Sequence, residues 1–332
     1  MGSENNSLGT QNHAMRFPFK VNEIGCSNGS VSRFPLIAMS TCPLCDSPGP
    51  LRESHIIPRF VFEWLIQSSA TGHMRLGTAP NLRVQDGVKQ RLLCGECEGR
   101  LGAWEKTTAE SLFVPYHLDT SVVVEYGPWL AKFCASVAWR VLFVFQRIGP
   151  NHMSAVQVGR ADRALRVWSD LMFDRAQNPG SFELHLLPVD VMASANWPGM
   201  AANMNRYLAR AIEMDVVASS QSAFVYVKMC KLIVIGFVQS PQFRQWRGTR
   251  VAMKRGTIRP GKFVVPSGFG DYLVERAKGM AQLMAGISAC QKQKIGDSMR
   301  NNLDRAAQSE TFVALSHDVG MFGNLAFEPP DE

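Results

Sequence analysis

Cys42-Pro43-Leu44-Cys45, then Ser54-His55-Ile56-Ile57-Pro58, then Leu92-Leu93-Cys94-Gly95-Glu96-Cys97-Glu98 are the three stretches whose order decides how this chain is read. Two Cys-x-x-Cys pairs supply four soft ligands on two short knuckles, which is what a tetrahedral structural Zn²⁺ requires. The remaining cysteines, Cys26, Cys134, Cys230 and Cys290, are scattered and unpaired in the sequence. Two disulfides would suit a small secreted domain rather than a chain of 332 residues. A redox Cys-x-x-Cys would account for only one of the pairs. Cys42, Cys45, Cys94 and Cys97 are therefore the predicted zinc ligands, and His55 lies inside the unit they staple.

Working outward, hydrophobic residues make up 46% of the chain and charged residues 19%, which allows a sizeable core in one large domain or two modest ones. The longest apolar run, Phe133 to Phe145, contains Arg140 and is shorter than a membrane span, so it reads as a buried helix and no membrane partner is expected. The N-terminus has no apolar signal core. With the cysteine usage, this gives the expectation of a cytoplasmic protein. Residues 1–40 are polar and patternless and are expected to form a disordered leader, with Met15 or Met39 as an alternative start.

Residues 41–118 form the expected zinc module. Within it, Pro58 to Gln67 reads as a helix, Gly72 to Gly87 as loop, Gln90 to Leu93 as a short strand, and the residues from Glu98 onward as a helix carrying Leu101, Trp104, Thr108 and Leu112. Residues 119–332 read as a larger mixed α+β domain. Helices are expected from Pro128, over Ala161 to Met172, Met200 to Ile212, Tyr272 to Met284 and Lys294 to Ala307. Strands are expected over Met214 to Ala218, Ala223 to Lys228, Lys231 to Val238 and Arg250 to Ile258.

The formal net charge is +7. The module holds equal numbers of acidic and basic residues, so the excess lies downstream. No acid occurs between Asp215 and Asp271, a stretch that carries Lys228, Lys231, Arg244, Arg247, Arg250, Lys254, Arg255, Arg259 and Lys262 with Phe243, Trp246 and Phe263 among them. Unopposed cations suit a phosphate backbone and aromatics can stack on bases. A solvated basic face is the plainer reading. Arg244, Arg247, Arg250, Lys254 and Arg255 are the predicted nucleic-acid contacts here, with Arg59 and Arg91 in the module.

The motif order over about residues 42–105 resembles a zinc-stapled HNH endonuclease module. The resemblance implies a small ββα-metal, treble-clef-like fold: a histidine on the first strand, a short second strand and a helix that supplies a metal ligand. It implies a metal-dependent endonuclease in which His55 is the general base and Glu98, standing where the family usually has histidine, holds a catalytic Mg²⁺ or Mn²⁺. A neutral imidazole accepts a proton from water near neutral pH, and a carboxylate oxygen suits a hard cation. The implied partner is nucleic acid, DNA first, with a further protein or ligand engaged by residues 119–332. Bacterial chains of this layout often serve mobile elements or antiphage defence.

The chain departs from the family at two positions. Ser54 stands where an Asp or His usually precedes the base, and Lys89 stands where an Asn lies five residues before the second knuckle. Asn81 substitutes only if its loop folds back. Glu53, Asp86 and Glu105 are further carboxylates, each read first as part of a solvated face. His73 and His117 carry no partner signal, and Trp64 and Trp104 read as core aromatics. The alternatives to an endonuclease are a catalytically degenerate zinc module that binds nucleic acid and a protein-interaction scaffold.

Overall fold

Apolar runs at the centre of the chain set the architecture. In the computed structural model, which describes residues 40–148, 153–194, 199–240, 243–259, 261 and 263–328, these runs become the middle of a four-stranded antiparallel sheet. The expected leader, residues 1–40, falls almost wholly outside the described residues. So does Lys262.

In chain order the elements are β1 (Arg52–His55), α1 (Arg59–Gln67), β2 (Met74–Leu76), β3 (Ala79–Val84), β4 (Lys89–Leu93) and α2 (Gly95–Thr108). A π-helical segment, Ala109–Phe113, continues α2 into α3 (Val114–Leu118), and β5 (Val124–Tyr126) follows. Next come α4 (Pro128–Ile148), α5 (Ala155–Met172), β6 (Leu184–Pro188), α6 (Met204–Arg210), β7 (Ile212–Ala218), β8 (Ala223–Met229) and β9 (Leu232–Gln239). The chain then forms β10 (Gly256–Ile258), α7 (Ser267–Ala285), α8 (Ala289–Arg300), α9 (Leu303–Ala307) and α10 (Glu310–Phe322). The fold class is mixed α+β, as the sequence implied.

The main sheet has the order β6-β9-β8-β7, every pair antiparallel. Both of its faces are covered. Val225, Val227 and Met229 of β8 and Val234 of β9 face one apolar cluster with α4 and α5. Phe224 and Tyr226, with Ile233, Ile235 and Phe237, face a second cluster with α6 and α7. Strands buried on both faces lose the polar alternation of a half-exposed sheet and become continuous apolar runs. Gly236 lets α4 and α5 come close: a Cβ there would lie 2.8 Å from both Ala138 Cβ and the Trp168 ring.

Helix α4 runs through the middle. It is long and apolar enough to cross a membrane by length and composition, and 78% of that stretch is buried inside the protein. It is longer than the Phe133–Phe145 run because flanking residues extend it in both directions. The first apolar cluster is continuous from Cys42 and Leu44 through Ile56, Val61, Leu112 and Phe113 to α4, β8 and β9. Ser169 of α5 donates to Leu44 O at 3.2 Å, tying the first knuckle to the helical layer.

Three local expectations are corrected. Gly72 to Gly87 is not loop: β2 and β3 pair antiparallel across it. The stretch Arg250 to Ile258 is not one strand. His185 of β6 bridges Arg250, while Gly256–Ile258 pairs with β5. Lys294 to Ala307 is two helices, α8 and α9, interrupted at Asn301 and Asn302.

Candidate metal centre and the His55 site

The first knuckle closes through Cys42 N donating to Ser47 O at 2.9 Å and Asp46 N donating to Cys42 O at 2.7 Å. Asp46 takes a positive φ of 58°, a conformation that Asp tolerates better than most residues. The second knuckle is the start of α2: Cys94 is its N-cap and Cys97 lies in its first turn. Helix N-termini favour thiolates through their free N–H groups and dipole. The four Sγ atoms lie within 4.8 Å of one another, and Cys45 Sγ is 3.6 Å from Cys94 Sγ. Tetrahedral Zn–S bonds of about 2.3 Å place sulfurs about 3.8 Å apart, so these residues can hold a metal ion such as zinc. Burial and the neighbouring thiols push Cys97 up. Burial also acts on Cys45, but hydrogen bonds with Ser47 outweigh it and lower that thiol to about 7.

Strand β1 pairs antiparallel with β4, with Ser54 opposite Gln90 and His55 opposite Lys89. Their connection holds α1 and the β2–β3 hairpin and ends at Asp86-Gly87. This return brings Asp86 Oδ1 to 2.7 Å from His55 Nε2. Burial raises the Asp86 pKa, but Lys89, whose Nζ is 2.5 Å from Oδ2, and His55 together lower it to about 2. An ionised carboxylate only accepts, so in the neutral imidazole the proton sits on Nε2 and Nδ1 is the nitrogen with the free lone pair. The His55 side chain is 15% exposed, which leaves it reachable from solvent. Its ring lies 6.4 Å from that of Phe62.

Two buried groups fix the strand behind it. Arg140, 2% exposed in the middle of α4, donates from Nη1 to His55 O at 2.7 Å. Its Nη2 is 2.7 Å from Glu105 Oε1, a contact of charge and distance more than of hydrogen-bond alignment. Ser54, fully buried, donates its hydroxyl to Glu98 Oε1. Burial pushes the Glu98 carboxyl up, opposed by the Ser54 bond, Arg140 and His55.

The structure thus gathers His55, Glu98, Ser54, Asp86, Lys89 and Arg140. Asp86 was visible only as a turn residue with a carboxylate, and Arg140 only as a charge interrupting an apolar helix. Asn81 is not in the site: its side chain donates to Gly286 O at 3.1 Å and accepts from Ser288 N at 2.8 Å. Arg59 is exposed and pairs with Glu63 at 2.9 Å. Arg91 is exposed opposite Glu53. His117 is a structural residue. It accepts from Lys231 N at 3.0 Å, so its Nδ1–H donates to Phe113 O at 2.7 Å, and burial holds its pKa near 3.

The downstream basic stripe is altered in detail. Arg244, Arg247, Lys254, Arg255 and Arg259 are exposed. Arg250 is exposed but sits 3.3 Å from Glu183, an acid outside the stripe. Lys228 and Lys231 are buried, because β8 and the turn after it are covered on both sides. Trp246 is buried, and Phe243 and Phe263 are partly buried against the second cluster, so all three aromatics contribute to the core.

No family model matches this chain, no curated protein matches it, and no solved structure matches it.

Proposed function

We propose that this chain is a metal-dependent endonuclease of the ββα-metal type, with a structural Zn²⁺ on Cys42, Cys45, Cys94 and Cys97. The observation that carries the reading is the His55–Asp86 pair. An ionised carboxylate at Nε2 fixes the tautomer in which Nδ1 is a free base, on a half-buried strand beside the helix that carries Glu98. His55 Nδ1 takes a proton from water. The resulting hydroxide oxygen bonds to phosphorus, the bond from phosphorus to the leaving oxygen breaks, and that oxygen is protonated by solvent. Asp86 stabilises the imidazolium so formed.

The donor set for a catalytic cation is small. The four cysteines are the one group of three or more metal-ligating side chains among the described residues. Glu98 offers one carboxylate with the Ser54 hydroxyl beside it. That suits Mg²⁺ or Mn²⁺ bound mainly by substrate phosphate and water, as hard cations at phosphoryl sites commonly are. When bound, such a cation neutralises charge on the scissile phosphate.

A second reading is a zinc module that binds nucleic acid without cutting it. It is favoured by Glu98 being engaged by Ser54 and lying in the field of Arg140. The test is cleavage of plasmid, single-stranded DNA and RNA by wild type and His55→Ala, with Mg²⁺, with Mn²⁺ and with no added divalent ion. Cleavage that needs both the cation and His55 is expected. No cleavage by folded, zinc-loaded wild type removes the endonuclease reading in favour of the second.

A further inference from the structure

The β2–β3 hairpin carries a cross-strand pair of like charges. Arg75 and Arg83 stand directly opposite each other in the register. Facing like charges destabilise an antiparallel ladder unless something neutralises them. Among the described residues, neither arginine pairs with a carboxylate. Arg75 is spent on neutral acceptors, Pro80 O at 2.7 Å and Gln291 Oε1 at 3.0 Å. Arg305 arrives from α9 and caps the end of α1, with its Nε 3.1 Å from Ser69 O and its Nη2 3.1 Å from Ile66 O. The same Nη2 lies 3.2 Å from a Cβ built on Gly72, the residue before His73. His73 is pushed down by burial and by the charges of Arg83, Arg75 and Arg305, so the three cations act on one imidazole.

Arg83, the member on β3, lies close along the chain to the candidate active site. Strand β3 ends at Val84 and Asp86 holds the His55 ring. Arg83 and Asp86 are three positions apart, a reach of at most about 11 Å of backbone. Successive phosphates on one strand of a duplex rise about 3.4 Å each, so a backbone with one phosphate at His55 has others within reach of the hairpin.

We infer that the hairpin face formed by Arg83, Arg75 and Arg305 is a phosphate-backbone site that grips the nucleic acid a few nucleotides from the bond presented to His55. The inference rests on the endonuclease reading for the position of the scissile bond, but the grip itself is independent of cutting. Arg83 is the exposed member with no partner among the described residues, and it is the contact whose removal leaves the fold's own hydrogen bonds intact.

The test uses full-length protein with His55→Ala, without added divalent ion so that nothing is cut and zinc is retained. Binding to a short labelled DNA duplex is followed as salt is raised. Arg83→Gln is expected to reduce the slope of log affinity against log salt by about 0.9 and to weaken binding about tenfold at 0.1 M salt. Arg83→Lys should keep the wild-type slope. In the absence of DNA, Arg83→Gln is expected to raise Tm by about 1–2 °C, because a repulsive pair has been relieved. Unchanged slope and affinity in Arg83→Gln overturn the inference. So do a lowered Tm, which makes Arg83 a structural residue, and absence of DNA binding at low salt by the parent protein. Failure of the cleavage assay with this binding pattern intact removes the endonuclease reading and leaves the grip standing.

Discussion

Asp86 Oδ1 lies 2.7 Å from His55 Nε2 across a separation of 31 residues, and it does so because the β2–β3 hairpin returns the chain to the start of β4. The pair determines which imidazole nitrogen is basic. In Asp86→Asn the amide donates as readily as it accepts, so the tautomer with the proton on Nδ1 gains ground and the proposed mechanism loses its base. The expected outcome is a fall in kcat of about 10²–10⁴-fold with zinc content unchanged. Full activity in folded Asp86→Asn would remove the carboxylate from the mechanism.

Gly87 follows Asp86 and donates its N–H to Asp86 Oδ1 at 2.8 Å. A Cβ at that position would lie 2.1 Å from Phe62 Cε2, and Phe62 is buried. Gly87→Ala must move the ring or the backbone next to Asp86. Overpacking of this kind costs about 1–3 kcal/mol, and here it also displaces the His55 partner. Gly102, inside α2 with open space around its own Cβ, is the control: Gly102→Ala should stabilise by about 0.5–1 kcal/mol. Chemical denaturation of both variants, with cleavage measured alongside, separates crowding at Phe62 from a general effect of added methyls.

The parts that were legible in the sequence share one property: their evidence is local. The cysteine pairs, His55 and the strands β8 and β9 declare themselves by spacing or by unbroken apolar runs. The β2–β3 hairpin does not, because Arg75, Pro80, Asn81 and Arg83 interrupt any strand pattern. Its support comes from more than two hundred positions away, from Asn81 with Ser288 and Arg75 with Gln291, 207 and 216 residues distant. Strand β6 was hidden for a related reason: His185 and Pro188 break its pattern, and the partners that satisfy His185 include Thr249, 2.7 Å away but 64 residues further along the chain. Arg140 is the clearest case. Within its own helix it is an interruption, and its role depends on a carbonyl 85 residues earlier in the chain. Nor can composition say that Trp246 and Lys228 of the basic stripe face inward while Arg244, Arg247, Lys254 and Arg255 stay exposed.

Metal removal should act on the whole compact unit and not on a detachable finger. Cys42 and Cys97 are buried in the same apolar cluster as α4 and β9, and zinc binding supplies folding energy that a chelator withdraws. One zinc per chain is expected by colorimetric assay. Its removal should lower Tm and broaden the transition, and Cys97→Ser should do the same without chelator. A metal-free protein with unchanged Tm would make the four-cysteine centre dispensable for the fold.

Lys228 gives the pH dependence its sign. It is fully buried on β8, where its Nζ donates to Leu208 O at 2.8 Å and to Cys230 O. Burial lowers its pKa to about 7 from an ordinary 10.5. The unfolded chain therefore holds a proton between those values that the folded protein has released. Stability must rise with pH across this window, by at most about 1.4 kcal/mol per pH unit. Below about 7 both states are protonated and the full cost of burying the charge applies. Above about 9 the buried thiols and tyrosines, whose folded pKa values are raised, act in the opposite direction. The clean comparison is thus between pH 7.5 and 8.5, taken as the difference between wild type and Lys228→Met. Wild type should gain stability over that interval, and the variant, lacking the titrating group, should gain less by up to about 1.4 kcal/mol. Equal slopes in the two proteins would mean that Lys228 keeps its proton in the fold, held as a cation by the two carbonyls.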